Sequence, residues 1–125
     1  MGHAMDMANT VIVVVALEHL WFLVLEMFLW TKPLGLRTFR QSKEKAEASA
    51  ALAANQGLYN GFLAAGLAWS VLASPPAHAT SLKLFFLACV VAAGVFGAFT
   101  VGRRILLVQA APAAVALLLV LRSRA

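Results

Sequence analysis

VIVVVALEHLWFLVLEMFLW, residues 11–30, decides how the chain is read. An α-helix needs about 20 predominantly apolar residues to cross a bilayer, and this run supplies them with Glu18, His19 and Glu26 as its only ionisable members. On insertion scales an acidic or basic side chain at the bilayer centre costs roughly 2.5–3.5 kcal/mol, so three in one helix imply shelter by other helices. At about 100° per residue, His19 and Glu26 share a face about 10.5 Å apart along the axis, with Phe22 between them. Glu18 diverges by about 100° from His19 and about 80° from Glu26. The three groups therefore span a sector, the geometry of a cavity wall. The competing reading has each group merely hydrogen-bonded to a neighbouring helix, which explains one polar residue more readily than three.

Composition extends this reading to the whole chain. Its 125 residues are 62% hydrophobic and 12% charged, with a mean hydropathy of +0.87, whereas soluble domains carry about 25% charged residues. An integral membrane protein with a single domain, residues 1–125, is the expectation. The net charge of +5 comes from basic residues beside apolar segments, which points to membrane lipid head groups and topology rather than to nucleic acid. Cys89 is the single cysteine, so an intramolecular disulfide and a cysteine-based metal site are excluded.

Met1–Ala4 (MGHA) reads as an added leader before Met5, and His3 is left out as a ligand. The first helix is expected over residues 9–30, capped by Asn9 or Thr10. Asp6 and the length of the apolar run argue against a cleaved signal peptide. Pro33 and Gly35 stop this helix, and Lys32, Arg37, Arg40, Lys43 and Lys45 against Glu44 and Glu47 make the following loop the strongest basic flank. The positive-inside rule then puts Thr31 to Ala48 in the cytoplasm and the N-terminus outside. Leu34, Leu36 and Phe39 suit a position on the membrane surface.

The second helix, residues 42–73 with Ser42 as N-cap, has two unlike sides. Asn55, Gln56, Tyr59 and Asn60 fall within an arc of about 140°, while Ala50, Ala54, Gly57, Gly61 and Ala65 form a ridge of small residues. Gly57-x-x-x-Gly61 permits close approach of another helix, including that of a second copy. In an antiparallel hairpin Glu26 is expected level with Asn55 and Gln56, and His19 level with Tyr59 and Asn60. Pro75 and Pro76 predict an outward turn over residues 74–81. A third helix follows over residues 82–102, with Cys89, Ala93 and Gly97 as a packing ridge. Arg103 and Arg104 form a cytoplasmic turn, and a fourth helix over residues 105–121 carries Gln109 and is kinked by Pro112. The fold expected is an all-α membrane protein, an antiparallel four-transmembrane-helix bundle in the cell inner membrane with both termini outside.

ALEHLWFLVLEMFLW (residues 16–30), ANQGLYNGFLAAGL (54–67) and GVFGAFTVGRRILLVQAAPA (94–113) together resemble the small bacterial and fungal membrane proteins catalogued as domain of unknown function 1304. The resemblance covers nearly the whole chain and implies a four-helix integral membrane protein. It implies no activity, ligand or catalytic residue.

The residues themselves carry no glycine-rich phosphate loop, Gly-x-Ser-x-Gly elbow or His-Glu-x-x-His motif. Glu18 and His19 are adjacent and diverge too far to grip one ion together, so no metal and no cofactor is expected. The candidate ligand-binding residues are Glu18, His19, Glu26, Asn55, Gln56, Tyr59, Asn60 and Gln109. The leading reading is a protein that binds or transports a small cationic or amphiphilic molecule, with a glutamate as its anionic partner. Two alternatives stand beside it: an intramembrane isomerase or hydrolase of a lipid-like substrate, with His19 and a glutamate as acid and base, and a structural or accessory membrane subunit.

Overall fold

The structure, a computed structural model, describes residues 2–124 and is all-helical over them. Five helices follow in order: α1 (Gly2–Met27), α2 (Pro33–Phe39), α3 (Lys43–Leu72), α4 (Pro76–Thr100) and α5 (Arg103–Arg124). Three of them, α1, α4 and α5, are long and apolar enough to cross a membrane. The fourth helix of the expected bundle, α3, is as long but less apolar. In α3 the opening KEKAE and the amides Asn55, Gln56 and Asn60 dilute an apolar stretch that the sequence pattern had suggested.

Boundaries also shift where proline was read as punctuation. Pro76 opens α4 from its first turn, because a proline there lacks only an N–H that has no helical partner anyway and its fixed φ suits the helix. The expected outward turn is thus reduced to residues 73–75, and His78 lies inside the helix. Pro33 acts likewise. It starts α2 after an extended Lys32, whereas α1 runs from Gly2 to Met27 rather than over residues 9–30 and holds Asn9 and Thr10 inside it instead of as caps. Arg40 closes α2 in the left-handed conformation at φ 51°. In α5 the residues before Pro112 respond to its missing N–H. Leu106–Ala110 widen into a π-helical turn in which the Ala111 N–H donates to the Leu106 carbonyl.

Contacts divide the chain into two units, one comprising residues 2–16 and 65–124, the other Leu17–Ala64. In the first, α4 and α5 run antiparallel at very short distance: a Cβ added to Gly94 would stand 2.6–2.9 Å from Ala110 Cβ, N and Cα, and one on Gly97 would stand 2.7 Å from Ile105 Cγ2. Of the expected ridge Cys89, Ala93 and Gly97, Gly97 takes part in seating α5 together with Gly94, while Ala93 is exposed. The end of α3 and the start of α4 form a second antiparallel pair, with the Phe86 ring over Gly66 and the Trp69 and His78 rings 5.8 Å apart. Ile12, Val15, Leu67, Leu87, Val90 and Val120 are fully buried in this unit.

In the second unit the last turns of α1 pack antiparallel on the first half of α3. A Cβ on Gly57 would meet Met27 Cγ at 2.7 Å, Glu26 Cβ at 3.1 Å and the Leu23 carbonyl at 3.2 Å, and one on Gly61 would meet Leu23 Cδ1 at 2.7 Å. Trp30 extends the pairing by donating its indole N–H to Ser49 Oγ at 3.1 Å. Gly57 and Gly61 thus make close helix contacts within the chain.

Candidate functional site

Seven of the eight candidate residues lie in the second unit. Its centre is one hydrogen bond, from Asn60 Nδ2 to Glu26 Oε1, which joins α1 to α3. Asn60 is 5% exposed. The register differs from the expected one by four to five residues of α3: Asn60, rather than Asn55 or Gln56, stands opposite Glu26. The glycines set this. They allow Leu23 and Met27 to seat over Gly57 and Gly61, and Asn60 lies about 60° from Gly57 around the helix, so it is carried onto the packed side.

The rest of the polar arc is not brought to Glu26. Asn55, Gln56 and Tyr59 lie on the other flank of Asn60 and are exposed. Tyr59 packs edge to face on Phe62 at 5.7 Å, giving that open face an aromatic pair beside its amides. His19 is 0% exposed and its ring stands edge-on to Phe22 at 5.3 Å. An acid–base role needs an imidazole open to substrate, and this ring has no open side. Glu18 is only partly buried, yet its Oε1 is closed off from solvent without a hydrogen-bond donor among the described residues. Gln109 belongs to the other unit, partly buried in the π-helical turn of α5.

This arrangement offers two carboxyl groups in unlike states. Glu26 has one oxygen held by an amide, which orients the group and leaves its remaining lone pairs for a further donor. Glu18 has an acceptor with no donor among the described residues. A carboxyl at membrane depth that can take a donor is suited to an ammonium or to a proton, because in hydrocarbon an unsatisfied polar group is costly.

One buried cation escaped the sequence reading. Lys83 is 3% exposed and its Nζ lies 3.2 Å from Met5 Sδ. As a basic residue near the start of an apolar run it looked like a flank. The signal that marks it is periodic: Ala79, Lys83, Leu87, Val90 and Gly94 form the buried stripe of α4.

The family model described as a protein of unknown function (DUF1304) matches residues 13–121, which include every candidate residue. The uncharacterized protein YpaA of Lactococcus lactis subsp. lactis (strain IL1403) is 32% identical over 106 residues, covering 83% of this chain and 87% of that protein. No solved structure matches. With α1, α4 and α5 long and apolar enough to cross a membrane and the match running across all five helices, the chain belongs to the DUF1304 family.

Proposed function

We propose that this is a membrane protein that binds or transports a small cationic or amphiphilic molecule, with Glu26 as its anionic partner. The observation that carries the reading is the Asn60–Glu26 hydrogen bond in α1 and α3. It fixes a carboxyl in a helix apolar enough to lie in a bilayer. The open amides Asn55 and Gln56 and the Tyr59–Phe62 pair supply polar and aromatic surface on the same half of α3, a combination suited to a lipophilic cation.

In this reading α3 is a fourth crossing, completing an antiparallel bundle. Its 30 residues correspond to about 45 Å of helix, enough to span and to project its charged first turns into the cytoplasm. The basic segment around α2 sets the orientation. A cysteine introduced as Arg40→Cys, with Cys89→Ala to remove the native thiol, is expected to react with a membrane-impermeant maleimide only after the cells are opened. Labelling in intact cells would reverse the topology.

The function itself is tested by binding. Full-length protein in detergent, titrated with tetraphenylphosphonium and with alkylammonium ions of increasing chain length, is expected to bind at least one of them. Glu26→Gln, which keeps the shape and the acceptor for Asn60, is expected to weaken that binding by tenfold or more, since a charge-assisted contact is roughly twice as strong as a neutral one and worth about 1.5–3 kcal/mol. A second reading, that Glu26 and Asn60 only fasten two helices, is favoured by the same hydrogen bond. Unchanged affinity in Glu26→Gln selects it.

A further inference from the structure

The segment joining α1 to α3 forms a fixed basic platform that has no part in the Glu26 site. Gly35 lies so close to the end of the α1 region that an added Cβ would stand 1.9 Å from the Leu29 carbonyl oxygen and 3.0 Å from Trp30 Cα, so α2 rests directly on that backbone. Phe39 stacks on Trp30 with ring centroids 4.7 Å apart, and the same indole is tied to Ser49. Two contacts, the second to an indole that is itself tied to α3, hold a seven-residue helix in one place. At about 100° per residue Arg37 lies about 160° around α2 from Gly35, on the side that faces away from the packed one.

Lys32, Arg37, Arg40, Lys43 and Lys45 are all exposed. Among the described residues only Lys43 has a carboxylate within ion-pair distance, Glu47 at 3.9 Å. Leu34 and Phe39, each 39% exposed, lie among these cations. Cations and half-open apolar side chains around a tryptophan at the end of an apolar helix match the level where phosphodiesters meet acyl chains.

We propose that α2 and its flanks form a binding site for anionic phospholipid head groups. Arg37 and Arg40 take the phosphate, because a guanidinium presents paired N–H groups that match phosphate oxygens. Lys32, Lys43 and Lys45 add the attracting field, and Leu34 and Phe39 meet the upper acyl chain. The occupant is a lipid rather than nucleic acid because these apolar groups are interleaved with the bases, where a nucleic-acid backbone offers them nothing to contact.

The test uses full-length protein in neutral detergent and in phosphatidylcholine nanodiscs with or without phosphatidylglycerol. Phosphatidylglycerol is expected to raise the melting temperature where phosphatidylcholine does not, and added salt is expected to erase the difference. Arg37→Gln with Arg40→Asn is expected to weaken phosphatidylglycerol binding about 25-fold, at about fivefold per basic residue near an anionic surface. Asparagine is chosen because it tolerates the left-handed conformation of Arg40. Glu26→Gln is expected to bind phosphatidylglycerol like the wild type, which keeps this outcome apart from the fate of the proposed function. The salt titration of the wild type decides the matter should the double variant fail to fold. Equal effects of the two lipids, a salt-independent effect, full binding by a folded double variant, or displacement by a short oligonucleotide would each overturn the proposal.

Discussion

Gly94→Leu is expected to leave no correctly packed protein, and Gly94→Ala to melt earlier, with a net loss of up to about 2 kcal/mol. The reason is what the new atom meets. At Gly94 a Cβ falls 2.7 Å from Ala110 N and 2.9 Å from Ala110 Cα, which are backbone atoms and cannot rotate away. Overpacking of this kind costs typically 1–3 kcal/mol and more when it moves a whole helix, against about 1 kcal/mol gained by replacing glycine with alanine inside a helix. The leucine adds three further carbons to the same overlap, so α5 must leave α4. Gly97→Ala is expected to be milder, since its new Cβ meets only side-chain atoms of Ile105, Cγ2 at 2.7 Å, and no backbone. Gly102→Ala provides the control. Nothing lies within 4 Å of its Cβ position and its φ of 163° is extended, so a change within about 0.5 kcal/mol is expected. Circular dichroism melts in one detergent compare the four variants, and a Gly94→Ala melt equal to that of Gly102→Ala would refute the α4–α5 contact described above.

What the sequence made legible follows from which signals are local. The run at residues 11–30 is apolar apart from Glu18, His19 and Glu26, so α1 was readable, as was the Gly57–Gly61 ridge of α3, because close helix approach needs missing side-chain atoms at fixed spacing. Pro33 and Pro76 were misread because a proline carries the same letter whether it ends a helix or occupies its first turn. The register of α3 on α1 was misjudged for a different reason. The polar arc and the glycine ridge were treated as opposite sides, yet Asn60 is flanked by Gly57 and Gly61, and seating the glycines decides which polar residue is carried inward. Lys83 was overlooked because charge near the end of an apolar run normally means a flank, and only its place on a buried stripe distinguishes it.

The same register gives the sharpest separation of site from scaffold, through the stability of three variants. Asn60→Ala removes the donor that Glu26 Oε1 accepts from, and since that acceptor is partly buried its loss is expected to cost about 1 kcal/mol, the low end of the range for a buried one. Glu26→Gln keeps an acceptor for Asn60, so its cost is expected to stay near the average of about 0.6 kcal/mol for hydrogen bonds between membrane helices. Glu18 should behave in the opposite sense. Its Oε1 is enclosed without a donor, so Glu18→Leu relieves an uncompensated polar group and is expected to raise stability by about 1 kcal/mol or more. In the proposed reading Glu18 is kept for what it binds, the usual trade between activity and stability at a site. Glu18→Leu is therefore expected to melt higher than the wild type while binding lipophilic cations more weakly. Should it melt lower with binding intact, Glu18 is held by the scaffold, and the anionic site reduces to Glu26 alone.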